Sequence, residues 1–175
     1  GDSPLDDFNI AENAYIHVLN AAKDYVWIAT PYLILDSIMV NALVLAAQSG
    51  VDVRLITPSI PDKRIVFSLT QSNYMKLLAN GIRVFEYVPG FIHSKMFVSD
   101  DKRAIVGTTN MDFRSFFLHF ESGSVFYGGS VVQSVKADFE DTFKLCREVT
   151  LDDASKRSLL MKLMGQVAKL VAPLL

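Results

Sequence analysis

Apolar residues recur along the chain at two spacings, and these spacings predict alternating helices and strands. Residues 8–22 repeat apolar side chains at helical spacing, which predicts a first amphipathic helix. Short apolar runs rich in β-branched and aromatic residues predict buried strands at residues 25–30, 51–57 and 82–87. The first of these strands ends at Thr30-Pro31-Tyr32, which places a loop at its carboxyl end.

Capping residues mark the helices between these strands. Asp36 is a good N-cap for a helix that runs to about Gln48, and Gly50 is a natural stop after it. Pro61-Asp62 opens a third helix, which the Asn80-Gly81 pair ends. Helices and strands therefore alternate through the first half of the chain.

Residues 91–122 predict a β-hairpin that gathers polar side chains at its open end. His93 and Lys95 are separated by one residue, so on an extended strand both side chains point to the same face. The turn DDKR and the apolar run AIV would fold the stretch GTTN (residues 107–110) back beside them. An imidazole, an ammonium, a hydroxyl and a carboxamide then share one small volume, and this set suits an oxyanion.

The end of the chain predicts one more strand, a helix and a tail. The strand is expected at residues 121–127 and the helix at about residues 131–147. The order of elements predicts an α/β fold, an α/β/α sandwich around a mixed β-sheet, as one domain over residues 1–150. Residues 151–175 carry an apolar stripe with Lys and Arg elsewhere on the helical wheel, so they predict an amphipathic helical tail. Such a tail more often packs on protein, and the alternative is an anionic membrane interface.

Composition narrows the classes of function. The chain has 175 residues, 50% of them hydrophobic, and a formal net charge of −2. It lacks the basic excess of proteins that coat duplex nucleic acid, so a nucleic-acid partner is not expected. A single cysteine excludes an internal disulfide, and with three histidines there is no Cys/His cluster of zinc type. No apolar run approaches the roughly 18–20 residues that span a bilayer, and a reducing, cytoplasm-facing location fits.

The side chains at the open end of the hairpin suit phosphoryl chemistry. A neutral histidine such as His93 is a nucleophile toward phosphorus, and its protonated form can supply a proton to a leaving group. Lys95 offers positive charge to the non-bridging oxygens, while Thr108 and Asn110 offer neutral donors. Glu121 could accept from the second nitrogen of His93 and fix its tautomer. No carboxylate cluster has metal-ligand spacing, so neither a metal nor another cofactor is expected.

Simpler roles remain open for several of these residues. A lone His-x-Lys pair is a weak signal, because exposed strands often alternate polar side chains. Asp100 is better explained as a residue that sets the hairpin turn or pairs locally than as a chemical group. Asp112 and Arg114 could form an ion pair that braces the loop, and His119 either fills space or lines the pocket.

The spacing of the whole set is far more specific than its parts. His93-x-Lys95, Asp100 and Gly107-Thr108-x-Asn110 together resemble the HxKxxxxD…GSxN signature of the phospholipase D superfamily, with Thr108 where Ser is more usual. The stretches TPYLILD, GVDVRLITPSIPD and GTTNMDFRSFFLHFE and the ending LVAPLL resemble the C-terminal catalytic half of bacterial cardiolipin synthases. The resemblance covers nearly the whole chain.

The resemblance implies a reaction and a role for each motif residue. Enzymes of this kind move a phosphatidyl group from one phosphatidylglycerol to another and release glycerol, without a metal and through a phosphohistidine. The nucleophile usually belongs to the first of two motifs, so His93, in the second, would be the general acid and base. Lys95 and Asn110 would hold the phosphate oxygens, with Thr108 assisting and Glu121 orienting His93. The residues expected to support the site structurally are Asp100, Gly107, Asp112 and Arg114.

This chain carries one such motif, which supplies half of a site. It is therefore expected to be part of a longer enzyme at the cytoplasmic face of the bacterial inner membrane, or to pair with itself as small nucleases of the superfamily do. Three hypotheses remain open: phosphatidyl transfer by the full-length protein on an anionic phospholipid, hydrolysis of lipid or nucleic acid by a homodimer, and binding of phosphate and a membrane surface without turnover by the isolated domain.

Overall fold

A computed structural model describes residues 1–5 and 7–156, and its elements follow the predicted alternation. Within this part of the chain, no helix combines the length and the apolar character needed to cross a membrane. Most of the predicted C-terminal tail, residues 157–175, lies outside the described residues. In chain order the elements are α1 (Ile10–Ala21), β1 (Tyr25–Ala29), β2 (Leu33–Ile34), α2 (Ser37–Gln48), β3 (Asp52–Pro58), α3 (Arg64–Ala79), β4 (Arg83–Tyr87), β5 (Met96–Ser99), β6 (Arg103–Gly107), β7 (Met111–Asp112), α4 (Phe113–Phe117), β8 (Gly123–Tyr127), α5 (Gly129–Phe143), β9 (Cys146–Val149) and α6 (Leu151–Lys156).

The strands form a seven-stranded mixed sheet in the order β8-β6-β5-β1-β3-β4-β9. The three strands β1, β3 and β4 run parallel to one another, whereas β5, β6, β8 and β9 pair antiparallel with their neighbours. Helices α1, α2 and α3 contribute to the core on one face, and α5 contributes to the core on the other. The predicted α/β/α sandwich around a mixed sheet is confirmed.

The central strand β1 shows how the sequence builds these two cores. Val26 and Ile28 pack into the core under the first three helices, while Trp27 and Ala29 pack into the core under α5. Successive side chains of a strand point to opposite faces, so a continuous apolar run belongs in a sheet that is covered on both sides. The short run YVWIAT is therefore buried because of its position at the centre of the sheet.

Local capping fixes the second helix as the sequence predicts. The Asp36 side chain accepts a hydrogen bond from Met39 N–H at 2.8 Å and caps α2. Gly50 follows the last turn with a φ of +91°, a left-handed conformation that glycine adopts without steric cost. Chain reversal at this point allows β3 to lie parallel to β1, with Val26 opposite Val53.

Three boundaries differ from the prediction. The helix expected at residues 131–147 ends at Phe143, and Cys146–Val149 form an edge strand, β9, beside β4. The strand expected at residues 121–127 begins at Gly123. The strand expected to carry the His-x-Lys pair, β5, begins at Met96, so the pair lies in the segment that enters the sheet.

The two short strands β2 and β7 were not predicted. They form a separate parallel pair in which Leu33 lies opposite Met111 and Ile34 opposite Asp112. Thr30 Oγ1 accepts a hydrogen bond from Met111 N–H at 3.1 Å next to this pair. The loop that follows the hairpin is thereby attached to the carboxyl end of β1, close to the polar motif.

Candidate active site

The open end of the β5–β6 hairpin brings the two parts of the motif side by side. Met96 pairs with Val106 at the end of the ladder, and Gly107 N–H donates to the Lys95 carbonyl oxygen at 3.1 Å. His93 and Thr108 are exposed, and Lys95 is half-buried. The hairpin therefore brings the two parts of the motif together, as their spacing in the sequence predicts. His93 and Lys95, however, precede the strand rather than lie on it.

His93 has an environment that favours its neutral form. Burial, together with the charge of Lys95, lowers the pKa of His93 from its ordinary value, and the more weakly acting Asp62 opposes this change. The ring centroid of Phe91 lies 5.8 Å from that of the imidazole. A lowered pKa leaves a nitrogen free to accept a proton near neutral pH, and it also makes the protonated form a stronger acid.

The ammonium group of Lys95 points back toward the backbone of His93. Its Nζ donates to the His93 carbonyl oxygen at 2.7 Å. Burial lowers the pKa of Lys95, although the carboxylates of Glu121 and Asp112 act in the opposite direction. The positive charge is thus partly desolvated and close to His93, which is the electrostatic setting that binds an oxyanion.

Gly107 has a steric reason to lack a side chain. A Cβ built on it would lie 2.7 Å from the carbonyl oxygen of Ser122 and 2.8 Å from the Cα of Gly123. These atoms belong to the neighbouring strand, where Gly107 pairs with Gly123. Any side chain here would push β6 and β8 apart, which gives a physical basis to the supporting role predicted for Gly107.

Thr108 is held by the chain that leads into β8. Its N–H donates to the Ser122 carbonyl oxygen at 2.8 Å, and its hydroxyl accepts from Ser122 N–H at 3.0 Å. The same hydroxyl donates to the Glu121 carboxylate. The other Glu121 oxygen lies 3.7 Å from His119 Nδ1. The structure therefore pairs Glu121 with Thr108 and His119, and the contact with His93 that the sequence suggested is not made within the described residues.

Asn110 lies at the border of the motif. Its Nδ2 donates to the Ser115 hydroxyl at 3.0 Å, and its Oδ1 is buried with no hydrogen-bond partner among the described residues. A buried polar atom without a partner is uncommon and calls for a ligand or a rearrangement. Because Oδ1 is an acceptor, what the carboxamide lacks is a donor, and contact with phosphate oxygens would use its Nδ2 group.

Asp112 caps the short helix α4. Its carboxylate accepts from Ser115 N–H at 2.7 Å, and burial raises the pKa of Asp112 in spite of that hydrogen bond. The ion pair with Arg114 that the sequence suggested for Asp112 stays a prediction. Arg114 lies on α4 itself and borders a cleft.

Asp100 lies at the opposite end of the hairpin from His93. Its carboxylate accepts from the backbone N–H groups of Lys23, Asp24 and Tyr25 at 2.8 to 3.0 Å. Burial alone would raise the pKa of Asp100, but these hydrogen bonds lower it. The residue has the positive φ of a turn, 54°, as the sequence suggested. Its partners, however, are not local but 75 to 77 positions away in the chain.

Two contacts that sequence reasoning did not identify hold the loop of the site. Asp2 forms an isolated β-bridge with Glu121, with N–H to oxygen distances of 2.8 and 3.0 Å, and its carboxylate accepts from Ala11 N–H at 2.9 Å. The Tyr15 hydroxyl donates to the Thr109 carbonyl oxygen at 2.9 Å. No local pattern signals the bridge, whereas Tyr15 was visible only as an apolar position of the first helix.

A polar cleft of about 200 Å³ adjoins Asn110. Its lining comes from β2, the start of α3, β7, α4 and the loop that follows α4. Of the two roles that the sequence left open for His119, the structure places it in the lining of this cleft. The polar residues that border the cleft are Tyr32, Lys63, Asn110, Asp112, Arg114 and His119.

Solved structures share this fold at low sequence identity. The phospholipase D family member Nuc from Salmonella typhimurium superposes with a TM-score of 0.70 at 18% identity, over 81% of this chain and 92% of Nuc. The phosphatidylserine synthase of Haemophilus influenzae superposes with a TM-score of 0.76 at 16% identity, over 94% of this chain and 45% of the synthase. The same unit thus accounts for nearly all of one protein and about half of the other.

Sequence comparison identifies the family. Cardiolipin synthase 2 of Bacillus anthracis is 38% identical over 172 residues, which are 98% of this chain but 34% of the length of that enzyme. The family described as "Cardiolipin synthase, PLD-like domain" matches residues 15–143. The resemblance to the phospholipase D superfamily is confirmed, and the chain belongs to the family of cardiolipin synthase PLD-like domains.

Proposed function

We propose that this chain supplies one half of the active site of a phosphatidyltransferase that converts two phosphatidylglycerol molecules into cardiolipin and glycerol. The observation that carries the proposal is the open end of the hairpin, where His93, Lys95 and Thr108 lie beside one another. The membership of the chain in the cardiolipin synthase PLD-like family supports this choice of reaction.

His93 acts as the general acid and base. In the first step the histidine of a second motif attacks phosphorus, a P–N bond forms, and the P–O bond to glycerol breaks while His93 gives a proton to the leaving oxygen. In the second step His93 takes the proton from the acceptor hydroxyl, whose oxygen attacks phosphorus as the P–N bond breaks. A pKa below the ordinary value of histidine suits both proton transfers.

Lys95 stabilises the charge that develops on the phosphorus oxygens. Its partly desolvated ammonium acts more strongly there than it would in water. Asn110 adds a neutral donor through its Nδ2 group. Thr108 assists by donating its hydroxyl proton to the phosphate in place of the Glu121 carboxylate, which holds that hydroxyl in the free site. The further role of Glu121 suggested by the sequence, the orientation of His93, requires a rearrangement of the Glu121 carboxylate when substrate binds.

The second half of the site comes from elsewhere. The chain spans about a third, 34%, of the length of the cardiolipin synthase it matches, and it carries one His-x-Lys motif of this type. A second such domain of the same polypeptide, or a second copy of this chain, supplies the nucleophile. The lipid substrate places the complete enzyme at a membrane surface, on the cytoplasmic face of the inner membrane.

The test is cardiolipin formation from phosphatidylglycerol by the complete polypeptide in which this chain occurs. Replacement of His93 by Ala should lower the rate about 10³-fold or more, because a general acid and base is lost. His17→Ala, a change at an exposed histidine on α1, should leave the rate unchanged. Cardiolipin formation that survives His93→Ala would refute the role of His93.

A second function, hydrolysis of phosphodiesters by a homodimer, is favoured by one observation. The fold of this chain covers 92% of Nuc, so a unit of this size makes up nearly a whole protein of the superfamily. Gel filtration of the 175-residue chain, combined with nuclease and lipase assays, separates the two functions. An inactive monomer would eliminate the homodimer.

A further inference from the structure

Cardiolipin synthesis makes a demand on the protein that hydrolysis does not. The product carries two phosphodiesters on one glycerol, so the acceptor phosphatidylglycerol brings its own unreacted phosphodiester to the site. Covalent bonds of about 1.5 Å put the two phosphorus atoms within roughly 6 to 8 Å of each other. A synthase must therefore accommodate a second anion beside the reacting one, whereas a hydrolase that uses water has no such need.

The polar cleft beside Asn110 has the position and the size for this second anion. Asn110 belongs both to the motif at the open end of the hairpin and to the lining of the cleft. The volume of about 200 Å³ is smaller than that of a site for a whole drug-sized ligand, but it leaves room for one phosphodiester group.

Two cationic side chains border this cleft. Lys63 occupies the N-cap position of α3 and is exposed, and its ammonium forms no ion pair within residues 1–5 and 7–156. Arg114 lies across the cleft on α4, and its planar guanidinium matches the geometry of phosphate oxygens. The nearby Asp112 is occupied by its cap on Ser115. The Lys63 ammonium therefore presents a positive charge at the border of the cleft.

A short chain of contacts connects the cleft to His93. Tyr32, in the cleft lining, donates its hydroxyl proton to Asp62 at 2.5 Å, and its ring lies 6.2 Å from that of Phe91. Phe91 in turn lies 5.8 Å from His93. Asp62 directly precedes Lys63 in the chain. Two aromatic contacts therefore connect the lining of the cleft to the acid–base group.

We propose that this cleft is the subsite for the unreacted phosphodiester of the acceptor lipid, with Lys63 as its cationic ligand. This assignment rests on the proposed phosphatidyl transfer and adds to it a device that selects the acceptor. With the acceptor phosphate held in the cleft, its terminal glycerol hydroxyl reaches the reacting phosphorus. An alcohol without a phosphate can still react, but it gains nothing from the cleft.

Competition between two acceptors tests the subsite. The complete polypeptide is supplied with phosphatidylglycerol vesicles and ethanol, and cardiolipin and phosphatidylethanol are measured from the same reaction. Lys63→Gln should lower the ratio of cardiolipin to phosphatidylethanol about tenfold, the effect of one lost charge-assisted contact. Lys63→Arg should restore most of the ratio. Because both products come from one sample, the ratio does not depend on how much of the enzyme is folded.

The matched control is Lys76→Gln, an exposed lysine in the last turn of the same helix, and it should keep the ratio of the unmodified protein. An unchanged ratio in Lys63→Gln would overturn the subsite while leaving phosphatidyl transfer intact. If the unmodified protein forms neither product, the proposed transfer itself fails, and the subsite fails with it. A ratio that falls equally in Lys63→Gln and Lys76→Gln would show a general effect of surface charge and would also refute the subsite.

Discussion

The two ends of the β5–β6 hairpin carry residues of the same motif, but these residues differ in hydrogen bonding and exposure. At the turn end, the Asp100 carboxylate accepts from three backbone N–H groups of residues 23–25, and Asp101 contacts both Tyr25 and Lys136. At the open end, His93 and Thr108 are exposed. The two carboxylates of the turn end are satisfied within the protein, whereas the imidazole of His93 and the side chain of Thr108 at the open end are exposed.

This difference separates structural from chemical parts of one short signature. A carboxylate that accepts several backbone hydrogen bonds stabilises the fold, and its lowered pKa reflects that stabilisation. A lysine with a pKa lowered by burial stores an electrostatic cost that a bound anion can relieve. We therefore expect substitutions at the turn end to affect stability and substitutions at the open end to affect activity.

Among the variants that compare the two ends of the hairpin, Lys95→Gln is expected to have the largest effect. Loss of the ammonium should lower the rate of cardiolipin formation by the complete polypeptide about 10²- to 10³-fold, comparable to removal of one oxyanion donor. The melting temperature should stay close to that of the unmodified protein, because the Lys95 ammonium donates to an exposed residue, His93. Lys102→Gln, at the turn end of the same hairpin, is the control. It should leave the rate unchanged and lower the melting temperature slightly, because the Lys102 charge stabilises the Asp100 carboxylate. A comparable loss of activity in both variants would remove the distinction between the ends.

Asp100→Ala should lower the free energy of unfolding by about 3 kcal/mol, because three backbone donors lose a charged acceptor. Urea unfolding of this chain measures the change. The pKa of Asp100 is lower in the folded state than in the unfolded state, so its contribution is complete above the unfolded pKa and is lost as the pH falls through the folded pKa. The difference between Asp100→Ala and the unmodified chain should therefore shrink toward pH 3, and a difference independent of pH would contradict the role of the carboxylate.

Gly107→Ala should cost about 2 kcal/mol, the usual order for a methyl group forced into a packed space. The clash is with backbone atoms of Ser122 and Gly123 at 2.7 and 2.8 Å, which cannot turn away as a side chain would. Gly90→Ala is the matched control, since a Cβ there meets nothing within 4 Å. Equal stability of the two alanine variants would show that β6 and β8 separate without cost.

The smallest effect is expected from Lys136→Gln at the turn end. The ion pair between Lys136 and Asp101 is 2.6 Å long, but the Asp101 side chain is 47% exposed, so its loss should cost about 0.5 kcal/mol. Unfolding at low and high salt checks this value, because an exposed pair is screened. A cost as large as that of Asp100→Ala would show that Asp101 contributes as much as Asp100 to the stability of the turn.

Local signals made much of the fold predictable from the sequence. Asp36 and Gly50 define both ends of α2 through contacts within a few residues, and the run YVWIAT is buried because it is apolar on both faces. The hairpin is also local, so the spacing from His93 to Asn110 was enough to place the motif residues together.

Contacts between distant parts of the chain explain what the sequence did not predict. The sequence predicted that α5 would continue through the residues of β9. These residues form a strand instead, because they pair with β4. Arg147 also donates to Glu86, and Arg83 donates to Glu148, each at 2.7 Å. The partners of Asp100 and Glu121 likewise come from other segments. Local periodicity holds no information on such pairs.

The bridge between Asp2 and Glu121 has a practical consequence for anyone who divides this protein into parts. The first helix begins at Ile10, so a boundary just before it would look natural. Such a cut removes Asp2, which accepts from the first turn of α1 and bonds the backbone of Glu121. The excised unit would keep its sheet but lose the tether on the carboxylate that holds Thr108, and it would misrepresent the binding behaviour of the intact domain.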